Sequence, residues 1–207
     1  MNLTLLTVAA FLDRLRSSEP TPGGGSAAAL ASAIGTSLLA MVAGMPTRRA
    51  ESPAAVDQLH DAGRRTAALA ERLTSLVDED SRAYDDVVAA FRLPKATDAQ
   101  KSERSARIQS TLAAAVQAPL AVARHSAEAL EAATTVAEYG NRNAASDTGV
   151  GIELLGAGLR GAALNVEINL RSIKDDAYVQ QARSELDALA HRAEAAASRA
   201  RRQLGDG

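Results

Sequence analysis

Between Ser26 and Met45 the chain carries no charged residue and is made mostly of Ala, Ser and Gly, with a few Leu, Ile and Met. A helix that is apolar all round has to be buried, either in a membrane or inside a protein. Roughly twenty residues would be long enough for a span. Small residues gain little on transfer to lipid, however, and no aromatic belt flanks the run. The expectation is a central helix of a soluble bundle, approached closely by its neighbours because its side chains are small. Just before it stands Pro20-Thr21-Pro22-Gly23-Gly24-Gly25-Ser26. Two prolines stiffen the approach, three glycines let backbone N–H groups come near a ligand, and Ser26 can cap the helix. Such a helix start can attract an anion; it can equally be a tight connector. No GKS/T follows and no strand precedes, so neither a P-loop nor a dinucleotide fingerprint is supported.

Aromatic residues make up only 2% of the 207 residues. The core must therefore be Ala, Leu and Val packed at short interhelical distance. Alternation at period two is scarce, and the chain reads as all-α. The expected architecture is one domain over 1–207, a bundle of about six helices. Two of these are long and antiparallel, and others are buried and rich in small residues. The net charge of −2 gives no case for nucleic acid or an anionic membrane surface. With no cysteine there is no disulfide or thiolate chemistry. His60, His125 and His191 show no paired spacing, so no metal site is expected. The opening Met1-Asn2-Leu3-Thr4 has no basic leader or cleavage pattern, which makes the cytoplasm the expected location.

The helices can be placed. An amphipathic segment over Thr7 to Arg16 puts Val8, Phe11, Leu12 and Leu15 on one side. Ser52-Pro53 opens a long helix, with proline at its first position. Thr97-Asp98-Ala99-Gln100 is a capping box for a second long helix that runs to Tyr139. That helix carries an apolar seam through Ile108, Leu112, Ala115, Pro119, Val122, Ser126, Ala129, Ala133 and Val136, with a kink expected at Pro119. Ser146 or Asp147 can cap the next helix, whose Gly149, Gly151, Gly156, Gly158 and Gly161 require close packing, most naturally on the Ala27–Gly44 run. A last amphipathic helix, Tyr178 to Gln203, is expected to end in exposed Glu and Arg pairs.

On the first long helix Asp80 falls in heptad register with Leu59, Thr66, Leu73 and Val87, and Tyr84 follows one turn later. Asp78 and Asp85 lie off the seam and are expected to be solvated. A carboxylate on an apolar seam is costly unless it is bonded, and an unpaired one holds its proton more tightly. Asp80 is thus either satisfied structurally by an Arg or a helix cap, or lines a polar cavity with Tyr84. The other polar residues set against close packing are Lys95, Asn141 with Ser146 and Asp147, and Asn165 with Asn169. Such a set suits acid–base and electrostatic work on a polar heteroaromatic ligand.

Four segments in series now resemble one family. They are Pro-Thr-Pro-Gly-Gly-Gly-Ser-Ala-Ala-Ala-Leu (20–30), Asp80-x-x-x-Tyr84 on a helix ending Leu93-Pro94-Lys95, Gly140-Asn141 with Ser146-Asp147 and Gly149-Val150, and Leu164-Asn165-Val166 with Ile168-Asn169-Leu170. Together they are similar to the cyclodeaminase/cyclohydrolase family of folate enzymes. The resemblance implies an all-helical homodimer with a reduced folate as substrate and no permanently bound cofactor. It implies folate contact at Pro22, Gly23, Gly24, Gly25 and Ser26. In the catalytic set expected with it, Asp80 is the first choice of acid, Tyr84 orients it or relays a proton, and Asp147 either bonds the pterin amino edge or serves as the second carboxylate. Lys95 would meet the glutamyl carboxylates, and Asn141, Ser146, Asn165 and Asn169 would complete the binding set. Two reactions fit: closure of 5-formiminotetrahydrofolate to 5,10-methenyltetrahydrofolate with loss of ammonia, and hydrolysis of the methenyl compound to 10-formyltetrahydrofolate. The segment Gly44-Met45-Pro46-Thr47-Arg48-Arg49 departs from the family pattern, and no formiminotransferase segment is present. A non-catalytic helical dimer that binds a ligand or is purely structural is the reading of another class.

Overall fold

The uncharged run forms helix α2 (Gly24–Ala43) in the computed structural model, which describes residues 2–205. Within those residues five further helices accompany it: α1 (Val8–Leu15), α3 (Pro53–Phe91), α4 (Asp98–Tyr139), α5 (Ala145–Leu170) and α6 (Asp176–Gly205). Short 3-10 turns stand at Leu3–Leu5 and Arg142–Ala144. The all-α bundle with two long antiparallel helices is present, α3 and α4 forming the tall hairpin. α2 lies between α3 and α5 and also touches α4, while α6 packs on α4 and α5.

Small residues set these distances. A Cβ on Gly35 would stand 2.7 Å from Gly151 O, and one on Gly158 would overlap Ser32 Oγ. The α2–α5 interface is therefore a backbone-to-backbone approach, which explains why α5 tolerates glycines that each cost about 1 kcal/mol in a helix. Hydroxyls inside this interface are paired. Ser126 Oγ on α4 donates to Ser32 Oγ at 2.8 Å, and Thr36 Oγ1 donates to Ser32 O at 2.7 Å. Apolar packing and satisfied polar groups thus coexist in a core almost free of aromatic rings.

The caps at Ser52 and Thr97 form as the sequence dictates: Ser52 Oγ accepts from Ala55 N, and the Thr97–Gln100 capping box is complete. Other expectations are corrected. Helix α2 begins at Gly24 with Gly23 as N-cap, so Ser26 is a first-turn residue whose side chain points inward. Helix α5 begins at Ala145 with Ala144 as an N-cap that offers no side chain, which leaves Ser146 and Asp147 inside the first turn. Asp78 is buried rather than solvated; it accepts from Leu3 N and from Thr4 Oγ1 at 2.8 Å. The N-terminal 3-10 turn covers a side of α3 that heptad register alone leaves open. On α1 only Phe11 is buried, with Val8 78% and Leu12 49% exposed. The end of α6 does carry exposed Arg and Glu pairs, Arg192 with Glu131 and Arg201 with Glu153, while Ala193, Ala196, Ala197 and Ala200 on its other face are buried.

Candidate active site

Where α2 starts, the late part of α3, the early part of α4 and the last turns of α5 converge around a cavity of about 340 Å³. Gly23, Gly24 and Gly25 line one side, Asp80 and Tyr84 a second, Leu112 and Ala115 a third, and Asn165, Ile168 and Asn169 the fourth. The glycine loop is thus a cavity wall as well as a connector.

Helix α2 has no side-chain cap of its own. Asp80 reaches it from α3 instead. Its Oδ2 lies 3.0 Å from Ser26 Oγ, and the backbone N–H of Ser26 also faces the carboxylate. Ser26 Oγ is in turn 3.0 Å from Val77 O and 3.1 Å from Ser81 Oγ. Both alternatives left open for Asp80 therefore hold together: it satisfies a helix start, and it stands on a cavity wall. Burial raises its carboxyl above the ordinary aspartate value, working against the Ser26 side-chain and backbone bonds, which lower it. Among the described residues no Lys or Arg forms an ion pair with it. The helix dipole at the α2 start favours the anion, but desolvation prevails.

Gly25 is required by contact. A methyl there would overlap Asp80 Oδ1, Cγ and Oδ2. Gly24 has more room, since its Cβ would stand 3.5 Å from Asn165 Nδ2. Tyr84 lies at the cavity mouth, 43% exposed. Asn165 Nδ2 donates to Gly161 O at 2.8 Å, and Asn169 Nδ2 donates across to Ala115 O at 3.0 Å.

The structure thus brings Gly23, Gly24, Gly25, Asp80, Tyr84, Asn165 and Asn169 to one cavity. Ser26 supports that cavity from behind, fully buried, and Pro22 is buried beneath the loop. Lys95 is exposed in the α3–α4 turn, outside the wall. Asn141, Ser146 and Asp147 are not brought there by the same chain. Positions 147 and 165 are 18 residues apart on one helix, or roughly 27 Å at 1.5 Å per residue. Asn141 instead bridges two loops at the opposite end, donating from Nδ2 to Pro46 O at 2.6 Å beside Arg48, Arg49 and Arg142. Sequence reasoning missed Ser81, whose part depends on a serine 55 positions earlier. It also missed the carbonyl of Ala115, for which Pro119 four residues on was the available signal.

The fold and this cavity define an all-helical protein with a half-buried acid set against a glycine-built helix start. The chain belongs to the formiminotransferase-cyclodeaminase family, whose sequence profile matches residues 7–188. It is 40% identical over 183 residues to a methenyltetrahydrofolate cyclohydrolase of Methylorubrum extorquens, covering 88% of each chain. It is 36% identical over 192 residues to the formimidoyltransferase-cyclodeaminase of Sus scrofa and 34% identical over 193 to that of Rattus norvegicus. In both cases the match takes in 91% of this chain but 35% of the relative, so the chain spans about a third of those proteins. The crystal structure of a formiminotetrahydrofolate cyclodeaminase from Thermotoga maritima superposes with a TM-score of 0.86 over 98% of this chain and 97% of that one. At 24% identity this is a likeness of fold.

Proposed function

We propose that this chain is a folate one-carbon enzyme that closes 5-formiminotetrahydrofolate to 5,10-methenyltetrahydrofolate with release of ammonia. The observation that carries the reading is Asp80: an acid without a cation partner among the described residues, its carboxyl raised by burial, on the wall of a cavity bounded by glycine backbone. N10 of the substrate attacks the formimino carbon, and the N10 proton passes to the imino nitrogen to give an amino group. Protonated Asp80 gives that amino group a further proton. Ammonia leaves, and the one-carbon unit becomes a cation bridging N5 and N10. The carboxylate left on Asp80 then faces the charge it helped to create. Ser26, itself met by Ser81 Oγ, holds the carboxyl, while Tyr84 at the mouth orients it or relays its proton. Lys95, on the exposed turn beyond the Tyr84 end of α3, is assigned to the glutamyl carboxylates.

A second reading is favoured by the Methylorubrum relative, which matches nearly full length under the name of a cyclohydrolase. In that reaction water adds to the methenyl carbon and Asp80 as carboxylate takes one of its protons; Asp80 passes that proton to N5 as the C–N5 bond breaks, and the remaining hydroxyl proton goes to solvent as the 10-formyl carbonyl forms. The two are separated by measuring ammonia release from the formimino substrate beside loss of the methenyl chromophore on incubation with the enzyme. The first reading expects stoichiometric ammonia. Chromophore loss without activity on the formimino compound would replace it with the second, and activity on neither would defeat both.

The proposed working form is a homodimer. α2 is covered on three sides and leaves Ile34 47% and Met41 42% exposed, while α5 beside it leaves Val150 52% and Leu164 74% exposed. No charge on α2 interrupts its bare side, and exposed apolar patches mark association surfaces. Sedimentation should give one species near twice the 21.4 kDa chain mass; a clean monomer contradicts this.

A further inference from the structure

Pro119 sits within α4, one turn beyond the cavity-lining Ala115. Proline has no N–H, so the carbonyl four residues earlier, Ala115 O, loses its helical donor. Here that carbonyl accepts instead from Asn169 Nδ2 on α5, at 3.0 Å. A carbonyl can only accept, so the amide of Asn169 is fixed by chemistry, nitrogen towards Ala115 and Oδ1 away from it. Asn165, one turn earlier, is fixed in the same sense by Gly161 O. Among the described residues neither Oδ1 accepts a hydrogen bond from the protein, and both side chains line the cavity. This wall therefore turns two amide oxygens towards the cavity as acceptors, with one N–H of each amide committed to backbone.

We infer that Asn165 and Asn169 read the N–H donors of a 2-amino-4-oxopyrimidine edge, Asn169 accepting from the exocyclic amine and Asn165 from the ring N–H, and that Pro119 is the positioning residue that sets Asn169 for this task. The inference rests on the folate reading of the cavity. An exocyclic amine beside a ring N–H supplies two adjacent donors, which two acceptors one helical turn apart complement. A ligand lacking the amine leaves an acceptor unpaired, and one carrying a ring acceptor there opposes lone pair to lone pair. Leu112 and Ile168 supply the apolar contact on either side. The proline thus gives α4 a free carbonyl at the level of the ligand, and α5 uses it to fix a side chain.

The test compares binding of 5-formyltetrahydrofolate with that of its 2-desamino counterpart in wild type, Asn169→Leu and Pro119→Ala. Wild type should prefer the 2-amino ligand by roughly tenfold or more, the range of one hydrogen bond lost from a buried partner. Asn169→Leu should bind the two within about twofold, with KM raised more than kcat is lowered. Pro119→Ala restores the helical N–H to Ala115 O. It should raise the melting temperature while losing part of the preference, two effects of opposite sign that general damage would not produce. If Asn169→Leu folds poorly because Ala115 O is left bare, Pro119→Ala/Asn169→Leu supplies that carbonyl with a donor and carries the same expectation. An Asn169→Leu protein with wild-type preference overturns the assignment. A stabilised Pro119→Ala protein with undiminished preference overturns the positioning role. A wild type that binds neither ligand defeats the folate reading, and this inference with it.

Discussion

A methyl group added at Gly25 would occupy the place of the Asp80 carboxylate, overlapping Oδ1, Cγ and Oδ2 at once. The carboxylate has to leave, and its bond to Ser26 Oγ and the facing Ser26 N–H go with it. Each such bond contributes about 1 kcal/mol net, and an off-rotamer aspartate costs about 0.5–1.5 kcal/mol. Alanine recovers about 0.4–1 kcal/mol over glycine by narrowing the unfolded ensemble. Gly25→Ala should therefore lose about 1–3 kcal/mol of stability, which a domain of ordinary stability survives. Activity should fall further, because the acid no longer meets the reacting nitrogen: about a hundredfold or more in kcat, the low end for a general acid. Gly24→Ala is the control. Its Cβ meets Asn165 Nδ2 at an ordinary 3.5 Å, so stability should hold or rise and kcat should stay within several-fold. Thermal melts and turnover on the formimino substrate read both variants. A Gly25→Ala enzyme with wild-type kcat, or neighbours equally impaired, would refute the placement of the acid against the loop.

Three further outcomes follow from the same geometry. Asp80→Asn keeps an oxygen for Ser26 but holds no transferable proton, so kcat should fall by about two decades or more with the fold intact; near wild-type turnover would remove Asp80 from the mechanism. Its stability should also depend less on pH. The raised carboxyl means the native state holds its proton more tightly than the unfolded chain, so wild type loses stability as pH rises from the ordinary value through the raised one, while Asn does not. Denaturant midpoints across that window check this, and parallel curves would contradict it. Asp78→Ala removes the acceptor for Leu3 N and Thr4 Oγ1 and should cost about 1–3 kcal/mol; exchange of the Leu3 amide should quicken with kcat little changed, and an unchanged midpoint would show the contact to be idle. Gly158→Ala forces a methyl into Ser32 Oγ and Ala28 O and should lower stability by about 1–3 kcal/mol; a melting temperature at or above wild type would contradict the close α2–α5 approach.

Much of the bundle was legible in the sequence because local chemistry determines it. Thr97 and Gln100 form their capping box within four residues, and the charge-free run allows no exposed-helix solution. The glycines of α5 announced a close neighbour, and α2 is that neighbour. Ser26 was misread because a serine after glycines matches N-cap chemistry; the helix begins two residues earlier with Gly23 as its cap, and Asp80, more than fifty residues away, meets the Ser26 N–H. Asp78 was misread for a similar reason, since a heptad assigns one partner face while the N-terminal turn supplies a second. The grouping of Asn141, Ser146 and Asp147 with the glycine loop followed residue type and the family resemblance, neither of which carries a distance. A helix of 26 residues places them at the far end of the bundle. Asn169 was identified, but the reason for its orientation lies in a proline on another helix.

The central claim is that Asp80 exchanges a proton with the reacting folate from inside this cavity. Carbon NMR of aspartate-labelled protein, with Asp80→Asn for assignment, can follow that carboxyl through pH beside the kcat/KM profile for ammonia release. Asp80 should titrate above the ordinary aspartate value, and kcat/KM should decline as pH rises through the same midpoint. An Asp80 signal in the ordinary range, with kcat/KM unresponsive to its ionisation, would contradict this.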